Sequence, residues 1–377
     1  MRISYVINSL DGGGAALPLV NVIGVMREAG HQVSVISLME RDGRARPWLD
    51  QAGIPYQVIG GSRRSFVGTS LRLHRALRAE RPDLIWTSLS HATILGELLG
   101  RLNDIPVVSW LHNAYLKPAN KAILRRTKSL TRHWVSDSPE VIEFGVNELG
   151  IDRRAITIWP LFIADPVAPV ARASGRDEPF MVGSLGRLHP NKGYDVLIRA
   201  VALLNRRDAQ NAIRLKVTIG GEGGENERLR QLADELHVPN VALAGFQKQP
   251  RAFLSGLHAY VQPSHHEGLC IAGHEAMQAG LPVIASPVGE LQRSIAASAG
   301  GFLVEYGDEA ALADAIDALM KKRVRAAECG AAARAWVLEH YSRDRFRRNG
   351  LAAMRAAGLL TPSDGGRSAS RPNDARA

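Results

Sequence analysis

Short apolar runs alternate with amphipathic stretches along most of the chain, and this alternation constrains the fold more than any other feature. Between the runs, apolar residues recur at the spacing of an amphipathic helix, for example over residues 15–29, 68–80, 91–102 and 138–149. Such alternation predicts parallel strands joined by helices, as in a doubly wound sheet. In the first half the predicted strands lie near residues 2–8, 32–38, 55–59, 83–87, 106–110, 132–136 and 155–159.

The same pattern begins again after a stretch rich in proline and alanine. That stretch, Pro160 to Pro179, has few periodic apolar positions and is the predicted linker between two domains. A chain of 377 residues is long for a single hydrophobic core, which also favours two domains. The predicted strands of the second half lie near residues 180–185, 214–220, 240–244, 258–262, 282–286 and 301–304.

The sequence therefore predicts an α/β protein with two Rossmann-like, doubly wound domains, at residues 1–165 and 178–340. Helices near 308–322 and 324–339 end the second domain, and a further helical segment follows at 343–357. Residues 361–377 are rich in Ser, Pro, Gly and Arg and are predicted to be disordered. In doubly wound sheets ligands bind at the carboxyl ends of the strands, so the cleft between the domains is the predicted ligand site.

Cysteine usage and hydropathy indicate the compartment. Only Cys270 and Cys329 occur, so there is no disulfide framework, and a reducing environment is favoured. The amino-terminal residues read as a short apolar strand that enters a glycine turn rather than as a signal peptide. No apolar run approaches the ~20 residues that a membrane-spanning helix requires. We expect a cytoplasmic protein that is soluble or peripheral at the inner face of the membrane.

The net charge of +10 is concentrated in the first domain and the carboxyl-terminal end. Residues 1–160 hold 20 Lys and Arg against 14 Asp and Glu, a balance of +6. The segment from Lys117 to Arg132 mixes cations with Ile123 and Leu124, so contact with an anionic membrane surface and a solvated basic face are both open. The arginines of 72–81 are interpreted as a solvated helix face. Nucleic acid is excluded as a partner, because no zinc knuckle, aromatic RNA platform or basic zipper is present.

Two carboxylates, Glu267 and Glu275, lie eight residues apart in an apolar frame. Glu267 is predicted on a strand-to-helix turn and Glu275 about one and a half turns into the helix. Such a turn directs a carboxylate and unpaired backbone N–H groups into one cavity, which suits a sugar hydroxyl beside a phosphate. The structural alternative makes Glu275 a solvated helix residue and Glu267 a first-turn acid favoured by the helix dipole.

Two glycine-rich turns are predicted to face the same cleft. Gly12–Gly14 follows the first strand and precedes a helix predicted to open at Ala15. Glycine there lets a ligand approach the backbone, and a plain tight turn is the alternative. The spacing is not that of a dinucleotide fingerprint. The second turn, Gly220–Gly224, follows the strand predicted at 214–220.

A third turn, from Gly183 to Gly193, leaves a strand and carries two cations. Arg187 offers a planar fork for phosphate oxygens, and Lys192 offers a mobile point charge. Together they could bind a diphosphate and stabilise it as it departs. The structural alternative is a surface arginine in a turn and a lysine at a helix start. A lysine at a helix amino terminus opposes the helix dipole unless an anion lies there, which weakens that alternative.

These motifs, in this order and spacing, resemble those of the GT4 family of retaining glycosyltransferases, which have the GT-B fold. The segment from Gly186 to Gly193 matches G-R-L-x-x-x-K-G, and Gly221-Glu222-Gly223 matches the next turn. The paired glutamates match Glu267 and Glu275, and Gly301 to Asp308 matches a late strand and turn. The resemblance implies transfer of a sugar from a nucleotide-diphosphate sugar, with retention of anomeric configuration, to a saccharide or lipid-linked acceptor. Cell-surface polysaccharide or glycolipid assembly is the expected setting.

The resemblance also implies a role for each matching residue. Arg187 and Lys192 would bind the diphosphate, Glu275 the ribose, and Glu267 the hydroxyls of the donor sugar. The family commonly folds its last helix back onto the first domain, which would suit 343–357. No D-x-D occurs in the chain, so we expect metal-independent transfer with no cofactor beyond the donor. The remaining backbone contacts to the donor would come from Gly13, Gly14, Gly221, Gly223, Gly268, Leu269, Cys270 and Ile271.

Three positions depart from the family or remain open in role. Cys270 stands where relatives often carry glycine, and His274 stands where an aliphatic residue is usual, which puts the identity of the donor sugar in doubt. Cys270 is interpreted as packing rather than as a nucleophile. His112 ends a strand and resembles a histidine that contacts the sugar or the acceptor, so it could take a proton from the acceptor. A satisfied structural histidine is the alternative.

Two other functions remain open from the sequence. One is a sugar-nucleotide-binding protein that has lost transferase activity and supports a partner enzyme. The other keeps the GT-B fold for epimerisation of a sugar nucleotide, which would need its own acid and base in the cleft. Release of nucleoside diphosphate only when an acceptor is present distinguishes a transferase from both.

Overall fold

The structure, a computed structural model, describes residues 1–62, 65–175 and 177–360. The tail predicted at 361–377 lies outside the described residues. Two parallel sheets are present, each flanked by helices. The strands are β1 (Arg2–Ser9), β2 (Gln32–Met39), β3 (Tyr56–Gly61), β4 (Leu84–Ser88), β5 (Val107–Leu111), β6 (His133–Ser136), β7 (Ile156–Ile158), β8 (Phe180–Leu185), β9 (Leu215–Gly220), β10 (Val241–Leu243), β11 (Ala259–Gln262), β12 (Val283–Ala285) and β13 (Gly301–Leu303).

Helices connect almost every successive pair of strands. They are α1 (Leu19–Glu28), α2 (Arg46–Gln51), α3 (Phe66–Glu80), α4 (Ser90–Asn103), α5 (Pro118–Thr127), α6 (Pro139–Leu149), α7 (Tyr194–Arg207), α8 (Asn211–Arg214), α9 (Asn226–Glu235), α10 (Pro250–Ser255), α11 (Ile271–Gln278), α12 (Gly289–Ser298), α13 (Glu309–Lys321), α14 (Arg323–His340) and α15 (Arg343–Ala356). Each strand predicted from the sequence is present, and its ends lie within two residues of those expected.

The sheet topology is doubly wound in both halves. The first sheet has the order β3-β2-β1-β4-β5-β6-β7 and the second has the order β10-β9-β8-β11-β12-β13, with parallel neighbours throughout. The predicted pair of Rossmann-like domains is therefore confirmed. The carboxyl ends of both sheets face one cleft, since an isolated bridge joins Asn113, after β5, to Gly268, after β11.

The first predicted helix begins later than expected. The prediction opened it at Ala15, but residues 12–17 form turns in which the amides of Ala16 and Leu17 donate to the Gly13 carbonyl. Helix α1 starts only at Leu19. The reason is Pro18, whose ring disfavours the helical conformation of the residue before it and removes one backbone donor. The glycine turn is therefore a longer loop on the cleft side.

Helix α15 packs on the first sheet although it follows the second in sequence. It contacts α1 and β7. Trp159, just after β7, lies between Trp110, with ring centroids 5.0 Å apart, and Phe346 of α15, at 5.4 Å. Gly350 lets the helix approach this closely, because a Cβ there would lie 2.5 Å from the Trp159 ring. An aromatic core therefore joins the last helix to the first sheet.

Candidate active site in the cleft between the two sheets

The Glu267 carboxylate is buried and held by three donors at the end of β11. Its Oε1 atom accepts hydrogen bonds from Lys192 Nζ at 2.6 Å, Ser264 Oγ at 2.7 Å and Gln262 Nε2 at 3.2 Å. Its side chain is 9% exposed. Because β11 ends at Gln262 and α11 begins at Ile271, Glu267 lies in the connecting loop, not in the first helical turn. The first-turn interpretation of Glu267 is therefore wrong.

Lys192 is the partly buried cationic partner of this carboxylate. Burial alone would lower the pKa of the Lys192 ammonium, but the Glu267 charge outweighs it and holds that pKa above its ordinary value. Lys192 ends a short 3-10 turn, and α7 starts two residues later at Tyr194. A lysine near a helix amino terminus needs a neighbouring anion, and the Glu267 carboxylate supplies part of that negative charge.

Cys270 lies at the start of α11 with a left-handed backbone conformation. Its φ of 60° is in the left-handed region that favours glycine. Burial raises the pKa of the Cys270 thiol, so the nucleophilic thiolate is disfavoured. This agrees with the interpretation of Cys270 as a packing residue. The first N–H groups of α11, which begins at Ile271, have no partner within the helix.

Glu275 lies on α11 one turn beyond Ile271, on the same face. Burial raises the pKa of its carboxyl to about 7, and the Arg251 charge opposes that rise. Within residues 1–62, 65–175 and 177–360, no hydrogen bond or ion pair engages this carboxylate. A partly buried carboxylate without a partner is costly unless a ligand donates to it. Glu275 is therefore available to accept hydrogen bonds from a bound molecule.

The glycine loop after β1 faces Arg187 and α11 across the cleft. A Cβ on Gly14 would lie 3.3 Å from Ile271, and one on Gly13 would lie 3.9 Å from the Arg187 guanidinium. Asp11 Oδ2 lies 3.8 Å from the same guanidinium. Arg187 is 59% exposed, so its fork remains accessible from the cleft. The structure brings together the first and third glycine turns that the sequence singled out.

Gly221 and Gly223 support the Arg187 loop from behind. A Cβ on Gly221 would lie 1.8 Å from the Gly186 carbonyl oxygen, and one on Gly223 would lie 2.1 Å from that of Leu188. The Leu188 amide donates to the Glu222 carbonyl at 2.9 Å. These close approaches explain why glycine is required in the turn. Ligand contact by Gly221 and Gly223 stays a prediction.

Both ring nitrogens of His112 are engaged inside the first domain. Nδ1 lies 2.9 Å from Asp137 Oδ2, and Nε2 lies 2.7 Å from Ser88 Oγ. A general base needs a nitrogen within reach of the acceptor hydroxyl. A catalytic role for His112 stays a prediction. Sequence reasoning missed Ser88 and Asp137, although each stands at the carboxyl end of a predicted strand.

The other histidines of the second domain have structural contacts. His274 is buried, where its ring bonds to the Cys270 carbonyl at 3.0 Å and to Ser294 Oγ at 2.8 Å. Burial lowers the pKa of His274 to about 4. The His266 ring stacks on Tyr115, and the His265 ring stacks on Tyr306. In the part of the chain that the structure describes, no group of three or more His, Cys, Asp or Glu is arranged to hold a metal ion.

Further contacts across the cleft were not predicted from the sequence. Arg44 Nη2 lies 3.0 Å from Glu222 Oε2, and its guanidinium lies 3.6 Å from the centroid of the Phe246 ring. At the opposite rim Gln292 Nε2 donates to Glu140 Oε2 at 3.0 Å. No local sequence signal marks these pairs, because the partners of each are more than 150 residues apart.

Comparisons with known proteins agree with the geometry. Residues 12–165 match the Glycosyltransferase Family 4 model, and residues 171–336 match the Glycosyl transferases group 1 model. Lipopolysaccharide core biosynthesis glycosyltransferase LpsD of Rhizobium meliloti is 30% identical over 317 residues, 81% of this chain and 84% of that relative. The D-inositol 3-phosphate glycosyltransferase of Nocardia farcinica is 32% identical over 269 residues, which cover 64% of this chain and 58% of that relative. The chain belongs to the GT4 family of glycosyltransferases.

Solved structures show the same fold. Anabaena Alr3699/HepE in complex with UDP and glucose has a TM-score of 0.80 at 21% identity, with 94% of this chain and 99% of that chain covered. Sucrose-phosphate synthase from Thermosynechococcus elongatus has a TM-score of 0.76 at 18% identity, with 94% and 98% covered. Both likenesses establish the GT-B fold, as the sequence predicted. None of the described helices is long and apolar enough to cross a membrane.

Proposed function

We propose that this protein transfers a sugar, with retention of anomeric configuration, from a nucleotide-diphosphate sugar to a saccharide or lipid-linked acceptor. The observation that carries the proposal is the Lys192–Glu267 pair. The pair lies beside the amino terminus of α11 and opposite the glycine loop after β1. A partly buried cation, a helix amino terminus and a buried carboxylate in one cleft suit a diphosphate joined to a polyhydroxylated group.

In this proposal the diphosphate binds to Arg187, Lys192 and the start of α11. The Lys192 ammonium has three donors, so its hydrogen bond to Glu267 leaves two for phosphate oxygens. Arg187 is exposed to the cleft and offers a bidentate fork. As the bond to the sugar breaks, negative charge grows on the leaving diphosphate, and fixed cations stabilise it. Two protein cations supply this charge in our proposal, which therefore needs no metal.

The two glutamates serve different parts of the donor. Glu275 accepts hydrogen bonds from the ribose hydroxyls, which is consistent with its unpartnered carboxylate. Glu267 accepts hydrogen bonds from the donor sugar. Its Oε1 atom is already occupied by protein donors, which fixes the orientation of the carboxylate. A carboxylate held in this way orients the sugar; it is not poised as a nucleophile.

The names of the relatives suggest which substrates to test first. HepE has been crystallised with UDP-glucose and LpsD is a lipopolysaccharide core glycosyltransferase, so a UDP-sugar donor and a cell-surface saccharide acceptor are the leading pair. Inositol phosphate is a second acceptor to test, by likeness to the Nocardia relative. The setting is the assembly of polysaccharide or glycolipid at the inner face of the cytoplasmic membrane.

We place the proposed membrane contact on α3 and α4, two helices that cover the first sheet. In the predicted Lys117-to-Arg132 segment, Lys121 is paired with Glu148, Lys128 donates to the Leu149 carbonyl, and Leu124 is buried. Ile123 of that segment is 38% exposed, and five further exposed apolar side chains lie on α3 and α4. The side chains on α3 and α4 are interspersed with arginines that the sequence pattern alone indicated to be a solvated face. Beside exposed apolar residues, the same arginines suit an anionic interface. These exposed apolar residues are Phe66, Val67, Leu71, Leu98 and Leu102.

The test combines binding with turnover. A thermal-shift screen of UDP-, GDP- and ADP-sugars identifies the donor, since a ligand that binds only the native state raises the melting temperature. Release of nucleoside diphosphate is then measured with and without saccharide acceptors, and the product is examined for its anomeric configuration. Acceptor-dependent release with a retained configuration is the expected result. Binding without release would indicate a non-catalytic partner protein, and interconversion of the donor sugar would indicate an epimerase.

A further inference from the structure

Three polar side chains form a buried row at the carboxyl ends of the neighbouring strands β4, β5 and β6. Ser88 bonds to Nε2 of His112, and Nδ1 of His112 bonds to Asp137. The second oxygen of Asp137 accepts a hydrogen bond from Trp110 Nε1 at 2.7 Å. The Ser88, Trp110 and Asp137 side chains are buried, and the His112 side chain is 7% exposed. The imidazole is therefore fixed at both nitrogens.

The backbone beside this fixed ring reaches across the cleft. Asn113 forms an antiparallel bridge with Gly268, the residue that follows Glu267. The His112 carbonyl oxygen lies 1.9 Å from the position that a Cβ on residue 268 would take. On the other side, the Glu290 amide donates to the Gly268 carbonyl at 2.8 Å. The turn that carries Glu267 is thus enclosed between the end of β5 and the start of α12.

We propose that Ser88 and Asp137 are positioning residues, which fix the Glu267–Gly268 turn of the opposite domain through the backbone of His112 and Asn113. This inference rests on the proposed function in one respect: the turn matters because Glu267 is proposed to contact the donor sugar. The hydrogen bonds along the row allow either protonation state of the imidazole, since Ser88 can donate to Nε2 or accept from it. Because both imidazole nitrogens bond to residues of the first domain, the row holds the ring and the backbone that adjoins it in place.

Hydrogen exchange of the full-length protein without ligand tests the proposal. Ser88→Ala and Asp137→Ala should each speed exchange in peptides covering 109–116. They should also speed it at least about threefold in peptides covering 265–272, because the bridge to Gly268 opens more often. A side chain with only a local structural role in the first domain would not change exchange at a turn of the second.

Two matched variants sharpen the test. Asp137→Asn keeps an acceptor for Trp110 and a donor for Nδ1 if the imidazole changes tautomer, so exchange at 265–272 should stay within about twofold of wild type. Thr157→Val removes a comparable 2.7 Å hydrogen bond to a buried histidine, His133, away from the bridge. Exchange at 265–272 should be unchanged in that variant.

The proposal is overturned if Ser88→Ala leaves exchange at 265–272 at the wild-type rate, or if Thr157→Val raises it equally. Should Asp137→Ala not fold, Ser88→Ala and Asp137→Asn decide the question alone. These outcomes are independent of catalysis, because no donor is added. If the variants show the exchange response but the wild-type protein releases no nucleoside diphosphate, the positioning role is supported and the proposed transferase function is refuted.

Discussion

At the scale of single residues, the pairing of Lys192 with Glu267 is the central feature of the site. The pair is largely shielded from water, so removal of one partner leaves an uncompensated charge, which is costly. Loss of either residue therefore affects the protein itself as well as the proposed ligand contacts. Variants of Lys192 or Glu267 should therefore be compared with the wild type in melting temperature as well as in turnover.

We expect Arg187→Ala and Lys192→Ala each to lower turnover by at least about tenfold, which corresponds to roughly 1.4 kcal/mol of transition-state stabilisation. Arg187 is largely exposed, so its variant should keep the wild-type melting temperature, whereas Lys192→Ala should also lose stability. Lys216→Ala, an exposed lysine of the same domain, is the control. Wild-type turnover by both cleft variants would contradict their assignment to the diphosphate.

The two glutamates should respond differently to substitution. Glu275→Gln should weaken binding of free nucleoside diphosphate, because a ribose contact persists without the sugar. Glu267→Gln should leave that binding nearly intact and impair use of the intact donor. Calorimetry of both variants with the nucleoside diphosphate of the donor that the screen identifies provides the measurement. Equal losses would show that the division of roles is wrong.

Binding should also depend on pH through Glu275. Its carboxyl has a pKa raised to about 7 by burial, and the ionised form is the better acceptor of ribose hydroxyls. Affinity for the nucleoside diphosphate should therefore fall as the pH decreases from about 8 to 6, where this group becomes protonated. The Glu275→Gln variant should lose that part of the dependence. An identical pH profile in the two proteins would exclude Glu275 as its source.

At the scale of secondary-structure elements, the bridge between the end of β5 and the Gly268 turn joins the two domains across the cleft. Gly268→Ala would place a Cβ 1.9 Å from the His112 carbonyl oxygen, which the backbone can only relieve by moving apart. We expect turnover to fall at least about tenfold. Gly224→Ala is the matched control, since nothing lies within 4 Å of its Cβ position. Equal turnover in both variants would show that the bridge is not needed for activity.

The α3 and α4 face makes a second prediction at this scale. Leu71→Ser, on the exposed side of α3, should reduce sedimentation with phosphatidylglycerol vesicles at low salt, since buried apolar area and cationic charge act together at an interface. Ile213→Ser, an equally exposed apolar residue of the second domain, should bind as wild type does. Negligible binding of the wild type to both anionic and neutral vesicles would leave a soluble acceptor as the better interpretation.

At the scale of the whole molecule, α15 joins the end of the described chain to the first sheet. Gly350→Ala would place a Cβ 2.5 Å from Trp159, and overpacking of this kind typically costs about 1–3 kcal/mol. Gly24→Ala on α1 has free space around its Cβ position and should be neutral or stabilising by up to ~1 kcal/mol. Thermal unfolding of the two variants measures the difference. A Gly350→Ala protein as stable as wild type would show that α15 can shift without loss.

Much of the fold was predictable because it depends on local patterns. The run of apolar residues at β8 and the periodic positions of α6 are each encoded within a few residues. Most strands and helices could therefore be placed to within two residues or so. The late start of α1 was missed because the glycine turn was given more weight than Pro18. The motif residues Arg187, Lys192, Glu267 and Glu275 could be singled out because their types and spacing are themselves local; their contacts with a donor stay predictions.

The sequence by itself determined two doubly wound sheets and singled out the motif residues of the candidate site at their carboxyl ends. Only the tertiary structure decided how those residues combine. It paired Lys192 with Glu267, 75 residues away, engaged both nitrogens of His112, and joined Asn113 to Gly268 across the cleft. Local propensity and periodicity set each element, whereas contacts between distant residues depend on how two sheets pack and face one another. That is a property of the assembled chain.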